Sequence, residues 1–482
     1  MRPCGGLRLL VVWVVVAGGT APAVGQEGQW KAFTDSGWRL ARDGDPAAGE
    51  HLAKALSHAA EFSPGDARRA LTQSYQAYAA WKAGKTADAD RHAAEALAAF
   101  DALPADPASQ YVGRGLNALA LLAQGRKDYP RADKLYLRAL AAEEKVRGAN
   151  GVGVAQMLGN RAGLLEVQGR YEEAETLRKR QLQILDTPGR ADLAASAHLG
   201  AGRMYRKWDR DAQAETHLAR AVELKWKSSK KDDPAAIPYL TELGRLYLDQ
   251  KKPDKAELLL SEVLEYREKT SAKQPDRQVE LSDALHDMGC VHLAAGRPSA
   301  AEPMLDRALR IREKAFPGGD LRTAITLHTL ASLHVTRKRN QQAEGELQRS
   351  LQIKRKVLGP DHAGVAAALE DLGLLYARMN DPVSAVNFLR EALSVRDRGA
   401  GPGHPSVAAT LHHLANAYRD QRRFADAEPL YKRSITIKEN SVGPDAPGLA
   451  PVLDSYAGML LKTGRSAEAA PLAKRANAIR AK

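Results

Sequence analysis

From Gln26 to the C-terminus the chain alternates apolar stripes at helical spacing with brief polar or glycine-rich breaks. Residues 409–437 show the unit. Leu411, Leu414, Ala415 and Tyr418 recur at i, i+3, i+4 and i+7, and after Arg422-Arg423 the pattern resumes with Ala427, Leu430, Tyr431, Ser434 and Ile435. That spacing puts the apolar residues on one face of each of two helices. It predicts a helical hairpin, helix A followed by helix B, each with a stripe to bury.

The hairpin recurs along the chain. A small residue near the start of helix B, usually Ala followed by Glu or another small or acidic residue, falls at Ala132, Ala174, Ala214, Ala256, Ala301, Ala343, Ala385, Ala427 and Ala469. The steps between these anchors are 42, 40, 42, 45, 42, 42, 42 and 42 residues, the signature of a repeat array. Ala89 lies 43 residues before Ala132, and a worn unit near Ala48 brings the total to about eleven antiparallel helix pairs. The division expected is a leader over 1–25, divergent helical repeats over 26–108 and regular 42-residue repeats over 109–482. Within units, Gly169-Arg170-Tyr171, Gly296-Arg297, Lys338-Arg339 and Arg422-Arg423 place positive charge at the carboxyl end of helix A, where it complements the helix dipole. Between units, Gly359-Pro360-Asp361, Gly401-Pro402-Gly403-His404 and Gly443-Pro444-Asp445 combine a left-handed stop with a proline. A lone hairpin leaves its stripe exposed, so units must stack into a ribbon with a concave and a convex face.

The segments Leu411-His-His-Leu414-Ala415-Asn-Ala-Tyr418, Arg423-Phe424-Ala-Asp-Ala427-Glu428-Pro429-Leu430-Tyr431-Lys432-Arg433 and Ile437-Lys438-Glu439 resemble the 42-residue tetratricopeptide repeats of kinesin light chains. Gly403-His404-Pro405 and Ala301-Glu302-Pro303 are similar to the same consensus, and the likeness extends over about residues 110–480. The resemblance implies an all-α fold, a right-handed superhelical solenoid whose concave surface is lined mainly by helix A. It does not carry a motor role, because the coiled-coil heptads of a motor light chain are missing and an export signal stands in their place. Fold alone does not fix activity.

Arg2 and Arg8 flank the start of an apolar stretch, Leu9 to Ala17, followed by the small residues of Ala21-Pro22-Ala23-Val24-Gly25. This is the layout of a cleaved signal peptide, and the stretch is short of the roughly 20 apolar residues that span a bilayer. The expected product starts near Gln26, is periplasmic or secreted, and inserts nothing into a membrane. Cys4 is not at the cleavage site, which argues against a lipid anchor. Cleavage leaves 69 Lys and Arg against 58 Asp and Glu, a net +11, suited to acidic partners; export argues against nucleic acid. Cys290 alone survives cleavage, so no intramolecular disulfide can form.

By resemblance, the groove-lining positions fall 15, 11, 8 and 7 residues before each anchor. The first column reads Leu199, Thr241, His286, His328, Glu370, His412 and Asp454, and the second Arg203, Arg245, Cys290, Ser332, Leu374, Asn416 and Gly458; the last-turn positions add Arg206, Lys207, Arg378 and Arg419. A peptide or protein segment is the expected ligand, with Arg203, Arg206, Lys207 and Arg245 meeting acidic groups and His412 and Asn416 hydrogen-bonding its backbone. Solvated helix surface is the competing reading for each residue. His286, His328 and His412 lie on separate helices, whose packing distance is too large for one zinc ion. His292 and His334 occupy the column of Tyr205, Tyr247, Tyr376 and Tyr418 and are expected in the core. Cys290 lacks a patterned histidine and acid. The lysines of the loop expected around Trp226, namely Lys225, Lys227, Lys230 and Lys231, are diluted by Asp232-Asp233. No phosphate-loop, zinc-hydrolase or nucleophile-elbow motif occurs. A binding scaffold without cofactor is therefore expected, ahead of a structural organiser that binds through its convex face or ends and well ahead of an enzyme.

Overall fold

The computed structural model describes residues 25–62, 65–103, 109–228 and 233–481. The expected leader, apart from Gly25, lies outside the described residues, as do Lys230 and Lys231. Among the described residues 22 α-helices follow one another from Gln26–Asp43 to Ser466–Arg480, with no strand. They make eleven antiparallel pairs, as the periodicity predicts. The chain forms two compact units, up to Ser228 and from Ser229. The first holds five pairs, ending in Ala191–Lys207 with Asp211–Ser228, and the second six, from Ile237–Asp249 with Pro253–Lys273 onward.

The anchor recurs for a steric reason. All eleven anchor alanines are buried, from Ala48 to Ala469. Twelve residues earlier, on helix A, stands Gly202, Gly244, Gly289 or Gly373 in four repeats; a Cβ added there would come within 2.5–2.7 Å of Leu218, Leu260, Leu305 or Leu389. Ala120, Ala162, Ala331, Ala415 and Ala457 take the same position in other repeats. Helices A and B thus cross at the closest approach small side chains permit.

The two kinds of break differ in backbone demand. Five residues before the anchor, the turn between helices A and B takes a positive φ, 69–78° at Gly84, Gly169, Gly296 and Gly464 and 54–63° at Lys127, Asp209, Lys251, Lys338, Asn380 and Arg422. A non-glycine residue there bears about 1–2 kcal/mol of strain. Between units, Gly148, Gly359, Gly401 and Gly443 combine φ of 72–91° with ψ of 152–167°. That is not the left-handed helical basin expected from sequence but an extended region reached essentially by glycine alone, which explains why these junctions keep it.

Lys225, Trp226 and Lys227 are helical, not loop. Lys227 pairs with Glu223 one turn back at 2.6 Å, and Lys225 lies buried with its ammonium 2.9 Å from Asp192, so the helix runs on to Ser228. No helix among the described residues is long and apolar enough to cross a membrane.

Candidate binding surface

The helix A side of the second unit carries a seam of half-buried polar side chains, and the column 15 residues before the anchor supplies much of it. His286 opens it: its Nε2 is 3.6 Å from Cys290 Sγ, and its Nδ1 lies 3.4 Å from Thr326 Oγ1. His328 Nδ1 faces Asp371 Oδ2 at 3.3 Å. Glu370 is buried against Arg396, 2.5 Å from Nη2, with His413 Nε2 at 3.6 Å. His412 Nε2 is 2.9 Å from Ser455 Oγ and 3.2 Å from Asn416 Nδ2, and Asn416 Oδ1 accepts from the Tyr431 hydroxyl at 2.6 Å. His286 and His412 therefore have polar partners of their own, whereas His328 Nδ1 makes no hydrogen bond and has the Asp371 carboxylate beside it. Among the described residues no group of three or more His, Cys, Asp or Glu is placed to hold a metal.

Helix B contributes residues that the sequence columns did not include. Eleven residues after the anchor stand Arg312, Lys354, Arg396 and Lys438 in four successive repeats. Three of them reach the first turn that follows: Arg312 Nη1 donates to the Arg322 carbonyl at 2.8 Å, Arg396 Nη1 to that of Ser406 at 2.6 Å and Lys438 Nζ to that of Gly448 at 3.0 Å. Arg312 is buried and also bonds Ser282, Thr326 and Asp283, the last at 2.7 Å. The register was readable as a cation following Ile311, Ile353, Val395 and Ile437. On an exposed helix such a residue reads as solvated, and only packing brings it inside.

Burial sets the electrostatics of this seam. It holds His286 down at about 4, helped by the Arg312 and Arg245 charges, and His412 at about 4, helped by His413 and Lys438. The same cause raises Glu370 and Asp371 and lowers Lys354, because a poorly hydrated site disfavours any charged form. Burial and neighbouring Asp287 push the Cys290 thiol up to about 12. Here the sequence reading needs correction, since a histidine and an acid do lie beside Cys290. A thiol held so far from its thiolate is nonetheless a poor nucleophile.

The predicted basic positions fall in both compact units. Arg203, Arg206 and Lys207 lie on Ala191–Lys207 of the first unit, with Arg203 and Lys207 exposed and Arg206 half-buried. Arg245 lies in the second unit, its Nε 2.9 Å from Asp287 Oδ2. His292 and His334 are buried as expected, and His334 is hydrogen-bonded between Glu346 at 2.9 Å and Glu302 at 3.3 Å.

Helix B treats charge differently. An arginine six residues after one anchor pairs with an acid twelve residues after the preceding anchor: Arg138 with Asp101 at 2.6 Å, Arg180 with Glu144 at 2.5 Å, Arg433 with Asp397 at 2.9 Å and Arg475 with Glu439 at 2.5 Å. Arg307–Glu268 and Arg349–Glu313 follow the same register. Glu391 and Arg355 keep it with the charges exchanged.

The chain matches the tetratricopeptide repeat family over residues 111–177, 153–225, 322–398 and 403–482, and again over 281–318. No curated protein matches it. Among solved structures it is similar to the apo form of the quorum sensor NprR from B. thuringiensis, with 12% identity over 76% of this chain and 98% of that one and a TM-score of 0.51. BtubC (BKLC) from P. vanneervenii matches with 19% identity, 48% and 91% coverage and a TM-score of 0.42. A Podosopora anserina kinesin light chain of nearly identical TPR-like repeats matches with 22% identity, 44% and 98% coverage and a TM-score of 0.39. At these identities the likeness concerns the fold.

Proposed function

The chain belongs to the tetratricopeptide repeat family, and from that premise we propose that it is an exported, non-enzymatic scaffold that holds a peptide or protein segment along the helix A side of its second unit. The observation that carries this reading is the seam: polar groups at one pair of repeat positions, buried or partly buried in four successive repeats. Purely structural repeats would fill such positions with apolar side chains, since burying polar groups costs free energy unless they are bonded.

The seam also suggests the ligand's charge. Where one repeat sets Glu370 against Arg396, its neighbours place His328 and His412 in the same column, beside Lys354 and Lys438. At His328 and Lys354 the chain supplies the carboxylate itself, from Asp371, whereas the position of His412 and Lys438 favours a segment that brings its own carboxylate, which becomes a charge-assisted acceptor. The helix B side has its charges paired along the array, which weighs against a scaffold that binds through that face. Export rests on the leader, Arg2 and Arg8 with Leu9 to Ala17.

The test is to recover partners from an extract of exported proteins with the chain from Gln26 onward, then map hydrogen exchange with a purified partner. Protection is expected in Leu321–Thr336, Ala363–Arg378 and Pro405–Asp420, and His328→Ala with His412→Ala should reduce it. Protection confined to helix B overturns the groove. Retention of residues 1–25 on protein isolated from cells overturns export.

A further inference from the structure

The second and most N-terminal helix pairs depart from the repeat pattern in one place, and the departure opens a cavity. Nine residues before the anchor, where Tyr205, Tyr247, Tyr376 and Tyr418 stand in four repeats, the second pair has Ala80, as the third has Ala123. Thirteen before it, in place of Leu243, Leu330, Leu372 and Leu414, stands Gln76, and three after it, in place of Leu259, Leu430 and Leu472, stands His92. A large ring and two leucines are thus exchanged for a methyl group and two polar side chains. The result is a cavity of about 420 Å³ in the first unit, walled by these residues and the turn that contains Gly44 and Gly49. Open space lies where a Cβ on either glycine would point.

Its polar groups are placed for a ligand. Gln76 Oε1 and His92 Nδ1 are both buried without a hydrogen-bond partner, the nearest acidic oxygen to the latter being Glu95 Oε2 at 3.6 Å. Buried polar atoms are bonded in the great majority of cases, so two orphans in one cavity call for an explanation. At the rim, Asp45 accepts from the Ala47 amide at 2.8 Å and Asp88 pairs with Arg91 at 3.0 Å, leaving the exposed Lys82 and Lys85 as the cations beside the opening. The volume is in the range of small-molecule sites, which combine apolar walls with a few polar groups that fix orientation.

We propose that this cavity binds a small zwitterion of the α-amino acid class. The ammonium group donates to Gln76 Oε1 and His92 Nδ1, the carboxylate meets Lys82 and Lys85, and the side chain lies against Ala79 and Ala80. The site belongs to the first unit and the proposal does not depend on the seam of the second.

The experiment is calorimetry and thermal denaturation of the full chain with each of the twenty common L-amino acids at millimolar concentration. At least one should bind with a stoichiometry of one and raise Tm. Ala80→Tyr, which restores the residue of the regular repeats, should abolish that binding while helicity is kept. Gln76→Leu and His92→Leu, also regular-repeat residues, should each weaken it by roughly tenfold, as loss of a buried hydrogen bond implies; they decide the matter if Ala80→Tyr fails to fold. Absence of heat and Tm shift with all twenty would overturn the proposal and leave a water-filled cavity. Unchanged affinity in the folded variants would overturn it equally.

Discussion

In the second unit the same repeats handle charge in opposite ways on their two sides. On helix B, Arg349 and Glu313 pair across repeats with 54% and 37% of their side chains exposed, and the other rungs are similarly open. In the seam, to which helix B also contributes, Arg312 retains only 3% exposure and Arg396 and Glu370 about a tenth each. Both sets recur with the repeat, so periodicity alone does not separate glue from site. Burial does. Exposed pairs are hydrated whether or not they meet and contribute little, whereas buried charges are held only by complete bonding and respond to anything that alters it.

The sharpest way to break this comparison is to remove one buried cation. Arg312→Met removes the charged hydrogen bonds to Ser282, Thr326, Asp283 and the Arg322 carbonyl, and should lower stability by about 3–5 kcal/mol, at roughly 1.5–3 kcal/mol for each such bond, although Asp283 keeps Arg322 as a partner. Lys354→Met, at the same position two helices on, should change it by less than about 1 kcal/mol, because burial disfavours both charges and Lys354 has the Asp371 charge nearby in place of the set of bonds that holds Arg312. Urea midpoints of the two variants make the measurement. Equal losses would mean that the column is structural throughout.

Acid provides the next largest effect. His286 and His412 are held at about 4 in the fold, against about 6.5 when unfolded. Between pH 6.5 and 4 the unfolded chain therefore binds more protons, and stability falls as pH falls, by roughly 3 kcal/mol per histidine by pH 4. Asp287 works the other way: burial raises it to about 6, so the fold gains protons first and stability rises as pH falls from 6 to about 4. The two histidines should outweigh it. His412→Gln should flatten the pH dependence of the urea midpoint in this window, while reversal of an exposed helix B pair should leave it unchanged.

The hairpin array was legible because its cause is steric. A close crossing of helices A and B demands a small residue at the anchor and another twelve before it, and no long side chain can substitute. The turn five residues before the anchor was less legible, since Lys338, Asn380 and Arg422 accept the positive φ that glycine would advertise. Of the proposed site, His286, His328, Glu370 and His412 were readable as one column and Asn416 as part of a second, and the structure places them along the same seam. Arg312, Lys354, Arg396 and Lys438 were not, because whether a long cation points outward or folds under the next helix is decided by packing. Nor could net charge reveal that Arg203 and Arg245 belong to different compact units.

The smallest effect is the most diagnostic for helix B. The rung formed by Glu391 and Arg355 shows that the geometry accepts either polarity, so Arg349→Glu or Glu313→Arg alone should create a like-charge contact and cost a few tenths of a kcal/mol up to about 1. The double exchange should return stability to that of the parent, with a coupling of about 0.2–1 kcal/mol that shrinks as salt is added. Each pair bridges successive repeats, so the coupling measured by urea denaturation reports on one repeat interface. A coupling above about 2 kcal/mol, insensitive to salt, would place the ladder with the buried network instead. The contrast between the two sides would then be one of position and no longer of energy.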